Sequence, residues 1–147
     1  MINQDTYEIH NCATARPNGA IRVLILDDEP SISDLLFEML NLLGYCPTKF
    51  SLPQAALYVL DSEDFDVILS DFRMPQMNGD AFFRRAVAKN GKLRSRFVFL
   101  TGDTVSEETH RFLTEEGSRH LGKPFDIASV EQVISDVVSQ ADASCAC

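Results

Sequence analysis

Acids, a hydroxyl and a lysine recur in this chain at one kind of place, directly after a short aliphatic run. Asp27, Asp28 and Glu29 follow Ile21–Leu26, Asp71 follows the run ending at Ser70, Thr101 follows Phe97–Leu100, and Lys123 follows Gly122. Each has a bland reading alone, as a cap, a strand residue or a solvated charge. Together they suit a definite chemistry. Carboxylates arriving from two strand ends repel one another unless a cation joins them, and hard Mg²⁺ prefers such oxygen ligands while keeping several waters. A hydroxyl donor and a lysine beside them are the parts needed to hold a phosphoryl group as its charge spreads over three oxygens. A carboxylate such as Asp71 can accept phosphate covalently.

These side chains share one edge only if the runs are strands of a parallel sheet, and the intervening sequence requires that. Pro30 suits a first helical position, Ile32, Leu35, Leu36, Met39, Leu40 and Leu43 recur at helical spacing, and Gly44 stops the helix. Tyr45–Phe50 reads as a weaker strand and Pro53–Leu60 as a short helix. Asp66–Ser70 is a strand buried on both faces, ended by a loop containing Pro75 and Gly79. Asp80–Lys89 predicts a helix with Phe82, Phe83 and Val87 available to pack. Ser106 is placed to cap a fourth helix, thin in apolar content, with Phe112 and Leu113. After the short strand Arg119–Gly122, Asp126 caps a last helix carrying Ile127, Val130, Ile134, Val137 and Val138 on one face. Strands alternating with helices imply right-handed crossovers and a parallel sheet covered on both sides. Ligands of such sheets bind outside the carboxyl ends of the strands.

The 147 residues suit one domain, and 45% hydrophobic content with no long apolar run predicts a soluble, cytoplasmic protein without membrane insertion. The net charge of -9 argues against a nucleic-acid surface. Residues 1–20 read as a flexible N-terminal arm, 21–141 as the domain and 142–147 as a C-terminal tail. Cys12, Cys46, Cys145 and Cys147 show no zinc-type spacing and are expected to be unpaired thiols.

From Ile21 to about Ala141 the sequence resembles the receiver domain of two-component response regulators, the CheY-like family. The resemblance is carried by Asp27-Asp28, by Asp71-Phe72-Arg73-Met74-Pro75 with Gly79, by Thr101-Gly102 and by Lys123-Pro124-Phe125. It implies a flavodoxin-like doubly wound five-stranded parallel sheet in the order 2-1-3-4-5. It also implies phosphorylation of Asp71 by a sensor histidine kinase or phosphotransfer protein. Mg²⁺ is then held by Asp28, Asp71, the Arg73 carbonyl and, through water, Asp27. Thr101 and Lys123 contact the acyl phosphate, and the Lys123-Pro124 peptide is cis. Such a domain is not an enzyme acting on other molecules, although it catalyses its own phosphoryl transfer and dephosphorylation. Output passes to a downstream protein through the face formed by the fourth helix, final strand and last helix. One departure concerns the switch, for which the family pairs Thr101 with an aromatic residue three before the lysine; here that position is His120. Arg73 and Asp103, each two residues past a site residue, are expected to pair over the phosphoryl group and slow its hydrolysis. The same motifs look like receivers of hybrid sensor kinases, so the chain fits either a stand-alone regulator or an excised piece. The competing reading is a phosphohydrolase of the haloacid dehalogenase type, which needs an acid two residues after its nucleophile where this chain has Arg73. A third is a binding module that needs neither phosphate nor Mg²⁺.

Overall fold

The computed structural model describes residues 7–9, 20–102, 107–116 and 118–145. Its strands are β1 (Tyr7–Ile9), β2 (Arg22–Leu26), β3 (Cys46–Phe50), β4 (Val67–Asp71), β5 (Phe97–Thr101) and β6 (Arg119–Gly122). Its helices are α1 (Pro30–Leu42), α2 (Pro53–Leu60), α3 (Gly79–Lys89), α4 (Glu107–Glu116) and α5 (Ile127–Cys145), with a 3₁₀ turn over Gly91–Arg96 that the sequence reading did not anticipate. The Ser106 cap and the Asp103 side of the proposed pair lie outside the described residues.

The strands lie in the order β1-β3-β2-β4-β5-β6, and all neighbours except β1 and β3 run parallel. Counting only the five parallel strands, this is the expected 2-1-3-4-5. The difference is β1. Tyr7–Ile9 pairs antiparallel with β3, Tyr7 opposite Phe50 and Ile9 opposite Thr48, so these three residues add an edge strand within the stretch read as an arm. A second correction concerns Cys46, which is disulfide-bonded rather than a free thiol. Pairing of thiols depends on proximity in the folded chain, to which spacing along the sequence is blind.

Alternation along the strands separates two cores. Val23, Ile25, Val67, Leu69, Val98 and Leu100 pack with Leu36 and Leu40 of α1 and Val130, Ile134 and Val137 of α5. Leu24, Leu26, Ile68, Phe97 and Phe99 face α2, α3 and α4, where Phe82, Phe83 and Phe112 complete an aromatic core. Each fully buried side chain of this size contributes about 1.5–3 kcal/mol of transfer free energy. The register that matters for the site is pinned at the far end of the sheet. The Asp66 amide donates to the Arg22 carbonyl at 2.9 Å, and the Arg22 amide donates to Asp66 Oδ2 at 2.9 Å. These two bonds fix β2 against β4, with Leu26 beside Ser70.

The helices turn back as the sequence implies. α1 starts with Pro30 in its first turn, and Gly44 at φ 85 ends it. The Gly44 amide bonds the Asn41 carbonyl at 3.1 Å and the Tyr45 amide bonds Leu40 at 3.0 Å, satisfying carbonyls that the last turn leaves open. Asp126 caps α5 by accepting the Ser129 amide at 2.8 Å. Among the described residues, no helix is long and apolar enough to cross a membrane.

Candidate functional site

Because Leu26 lies beside Ser70, the next residues, Asp27 and Asp71, emerge from adjacent strand ends. Asp71 pairs with Leu100, so Thr101 stands one residue further along β5, and Thr101 pairs with Gly122, so Lys123 follows on β6. The four strand ends therefore converge by register alone. The Lys123 amide donates to the Thr101 carbonyl at 2.7 Å, and the Lys123-Pro124 peptide is cis.

The carboxylates sit deep. Asp27 is 1% and Asp71 6% exposed, while Asp28 is half-buried. Asp27 Oδ1 accepts the Glu29 amide at 2.9 Å, so one oxygen is spent on the turn into α1. Its Oδ2 is buried without a hydrogen bond; Lys123 Nζ approaches to 3.2 Å, within ion-pair distance but off the direction a hydrogen bond needs. Lys123 Nζ also lies 3.5 Å from Asp71 Oδ1, which accepts the Arg73 amide at 3.4 Å. Oxygens of Asp27, Asp28 and Asp71 all fall within 4.8 Å of one another, a donor set that fits a hard divalent cation.

The charges bear this out. Burial pushes the Asp71 carboxyl up to about 7, the Asp27 charge adds to the rise, and Lys123 and the Arg73 amide oppose it. Burial also raises Asp27, against the pull of the Glu29 amide and Lys123. For Lys123, burial works to lower the pKa, but Asp27 and Asp71 outweigh it and hold the ammonium charged. One lysine does not neutralise three acids.

A pH dependence follows for the metal-free protein. Asp71 titrates near 3.8 in the unfolded chain and near 7 when folded, so the folded state binds that proton more tightly. Its stabilising effect is complete below the unfolded pKa and is lost as pH rises through the folded one. In chelator, Tm is expected to fall between pH about 4 and about 7 more steeply for the wild type than for Asp71→Asn. Thermal melts that run parallel for the two proteins would contradict the assignment.

The remaining expected residues are placed as follows. Thr101 is buried at the last position of β5, and Arg73 is exposed in the loop after β4. His120 is exposed on β6 opposite Phe99, apart from the acids. The sequence reading missed the role of Gly79. A Cβ there would meet Phe72 Cα at 2.8 Å and the Asp71 carbonyl at 2.9 Å, and the Gly79 amide donates to the Phe72 carbonyl at 2.7 Å. α3 thus starts in contact with the backbone that carries Asp71.

Comparison with known proteins agrees with this geometry. Residues 23–135 match the response regulator receiver domain family. The chain is 31% identical over 122 residues to the sensor histidine kinase RcsC of Salmonella typhi, covering 83% of this chain and 13% of that protein. It is 32% identical over 103 residues to the response regulator SaeR of Staphylococcus aureus, covering 70% of this chain and 44% of that protein. The chain therefore spans less than half the length of either relative. Among solved structures, the Vibrio cholerae chemotaxis protein CheY4 is 27% identical with a TM-score of 0.73, covering 80% of this chain and 98% of that one. With the acids, Thr101 and Lys123 gathered at one sheet edge and the family pattern running through them, the chain belongs to the response regulator receiver domains of two-component signalling, and is similar to those of hybrid histidine kinases.

Proposed function

We propose that Asp71 is the phosphoacceptor, taking the phosphoryl group from a phosphohistidine of a sensor histidine kinase or phosphotransfer protein. The observation that carries this is the buried Asp71 carboxylate facing Lys123, with Asp27 and Asp28 beside it. In the transfer, an Asp71 oxygen bonds to phosphorus as the phosphorus–nitrogen bond breaks. The imidazole leaves with that electron pair and takes up a proton. Asp28, Asp71, the Arg73 carbonyl and, through water, Asp27 are the groups that would hold Mg²⁺. When bound, the cation supplies positive charge that lets phosphate approach clustered carboxylates. Lys123 would neutralise a phosphoryl oxygen on Asp71, and Thr101 offers a hydroxyl donor at the neighbouring strand end. The Lys123 ammonium is held by Asp27, so it stays charged and positioned before phosphate arrives.

The phosphohydrolase reading is set aside, because Arg73 stands where that chemistry needs an acid and the chain matches the receiver family. The domain is a signalling part whose output passes through protein contacts. The experiment is to incubate the protein with a small-molecule phosphodonor and count phosphate bound and released. About one phosphoryl group per chain is expected, without sustained turnover of a generic phosphate ester. Labelling should fall on the order of 100-fold in excess chelator. Rapid continuous ester hydrolysis, or labelling indifferent to chelator, would overturn the proposal.

A further inference from the structure

We propose that the outer face of α2 and α3 docks a short acidic segment of a partner protein, with Tyr58 as its aromatic anchor and Arg85, Lys89 and Lys92 as its charges. Basic residues are not spread evenly along this chain. Six of its 13 lysines and arginines fall between Ala81 and Gly102, a stretch with no acid, while the other seven are set against all 22 aspartates and glutamates. All six lie on α3 and the 3₁₀ turn that follows it.

The six divide around α3. Arg84 and Arg94 turn toward α4: the Arg84 guanidinium lies 5.3 Å from the centre of the Phe112 ring and 3.3 Å from Asp80, and Arg94 pairs with Glu116. Arg96 is half-buried and donates to the Phe65 carbonyl at 3.0 Å. Arg85, Lys89 and Lys92 remain, all exposed. Lys89 reaches α2, where its ammonium meets Asp61 at the helix's C-terminal cap at 3.0 Å. Arg85 lies one turn before Lys89 and shares that side of α3. Arg85 and Lys92 make no ion pair among the described residues.

The contact between Asp61 and Lys89 also places Tyr58. Both helices return from the carboxyl edge of one parallel sheet and cover the same core, so they run side by side in the same direction. One turn back from Asp61 is Tyr58 and one turn back from Lys89 is Arg85, and the two stand level on the outer surface. Tyr58 is 65% exposed, although α2 buries Ala56, Leu57 and Val59 around it. Tyrosine and arginine are the residues on which protein interfaces concentrate their binding energy, the ring giving contact area at small entropic cost and the guanidinium gripping a carboxylate at two points. The acid within the face, Asp61, is held by an exposed pair of the weak kind that a partner's carboxylate can replace.

Charge selects the kind of partner. Beyond this stretch the chain is strongly acidic, so a membrane surface or a long nucleic acid, spreading past the patch, meets acids such as Asp64 at its margin. A short acidic segment with an apolar residue for Tyr58 stays within about one Debye length, roughly 10 Å, of the three cations. The face lies on the C-terminal halves of both helices, toward the sheet edge opposite Asp71, so docking leaves the strand-end acids open.

The test is fluorescence anisotropy of a labelled peptide of about 12 residues, glutamates with leucines at helical spacing, titrated with the whole chain. An oligothymidylate of the same length and phosphatidylglycerol vesicles serve as rival probes. The peptide is expected to bind with a Kd of about 10–100 μM at low salt and at least about fivefold more weakly at about 0.3 M salt. Arg85→Glu should weaken it about 10-fold and Tyr58→Ala about fivefold, while Arg111→Glu, the same change of net charge placed on α4, stays within about twofold of the wild type. Each variant should melt within about 2 °C of the wild type, because all three side chains are exposed. No binding by the wild type, an equal loss in Arg111→Glu, or tighter binding of the oligothymidylate or the vesicles would overturn the proposal.

Discussion

Asp71→Asn is expected to lose phosphoryl uptake by at least about 1,000-fold and yet melt at a higher temperature than the wild type in chelator. The loss follows from removing the only side-chain oxygen pair that faces Lys123 from β4. The gain follows from the same geometry. Asp71 is 6% exposed and its carboxyl is displaced up to about 7 by burial and by Asp27, so above that pH the folded protein carries a charge it disfavours. An amide of nearly the same shape removes the charge. At pH about 8 the Tm of metal-free Asp71→Asn should rise by at least about 2 °C. The opposing directions exclude misfolding as the reason for lost labelling. Uptake retained in the variant, or a clear drop in its Tm, would count against the account.

Gly79→Ala is the second large effect, and local propensity argues for the wrong sign. In a helix, alanine is favoured over glycine by roughly 0.5–1 kcal/mol. Here the new Cβ would press on the Phe72 Cα and the Asp71 carbonyl, both backbone, at separations no relaxed contact shows. The loop must move, so we expect destabilisation of about 1–3 kcal/mol, a Tm drop of roughly 3–9 °C, and weakened phosphoryl uptake because the loop carries the acid. Gly91→Ala provides the contrast. Nothing lies within 4 Å of a Cβ at Gly91, so that change should be neutral or slightly stabilising. Denaturant melts of the two variants decide the matter, since propensity alone would move both the same way.

The sheet edge was legible because it depends on local signals: aliphatic runs that stop abruptly at an acid, Thr101 or Lys123, separated by helices that force parallel crossovers. Register then needed no further information. What escaped depends on contacts between distant residues. Tyr7–Ile9 is three residues long, and only its partner β3 makes it a strand. Cys46 has no spacing motif, yet it is disulfide-bonded. Gly79 read as a breaker, whereas its necessity comes from the backbone it touches. Phe72 stood in the motif after Asp71, Phe99 in a strand and Phe112 in a helix thin in apolar content, and their convergence exists only once α4 lies on the sheet.

The most direct measurement is peptide mapping of protein labelled by a small-molecule phosphodonor in Mg²⁺, with the acyl phosphate trapped by borohydride reduction before digestion. The account predicts that the modification falls at Asp71, in the peptide that also contains Phe72 and Arg73, and is absent from labelled Asp71→Asn. Modification at Asp27, Asp28 or a hydroxyl residue in the wild type, with Asp71 untouched, would contradict it.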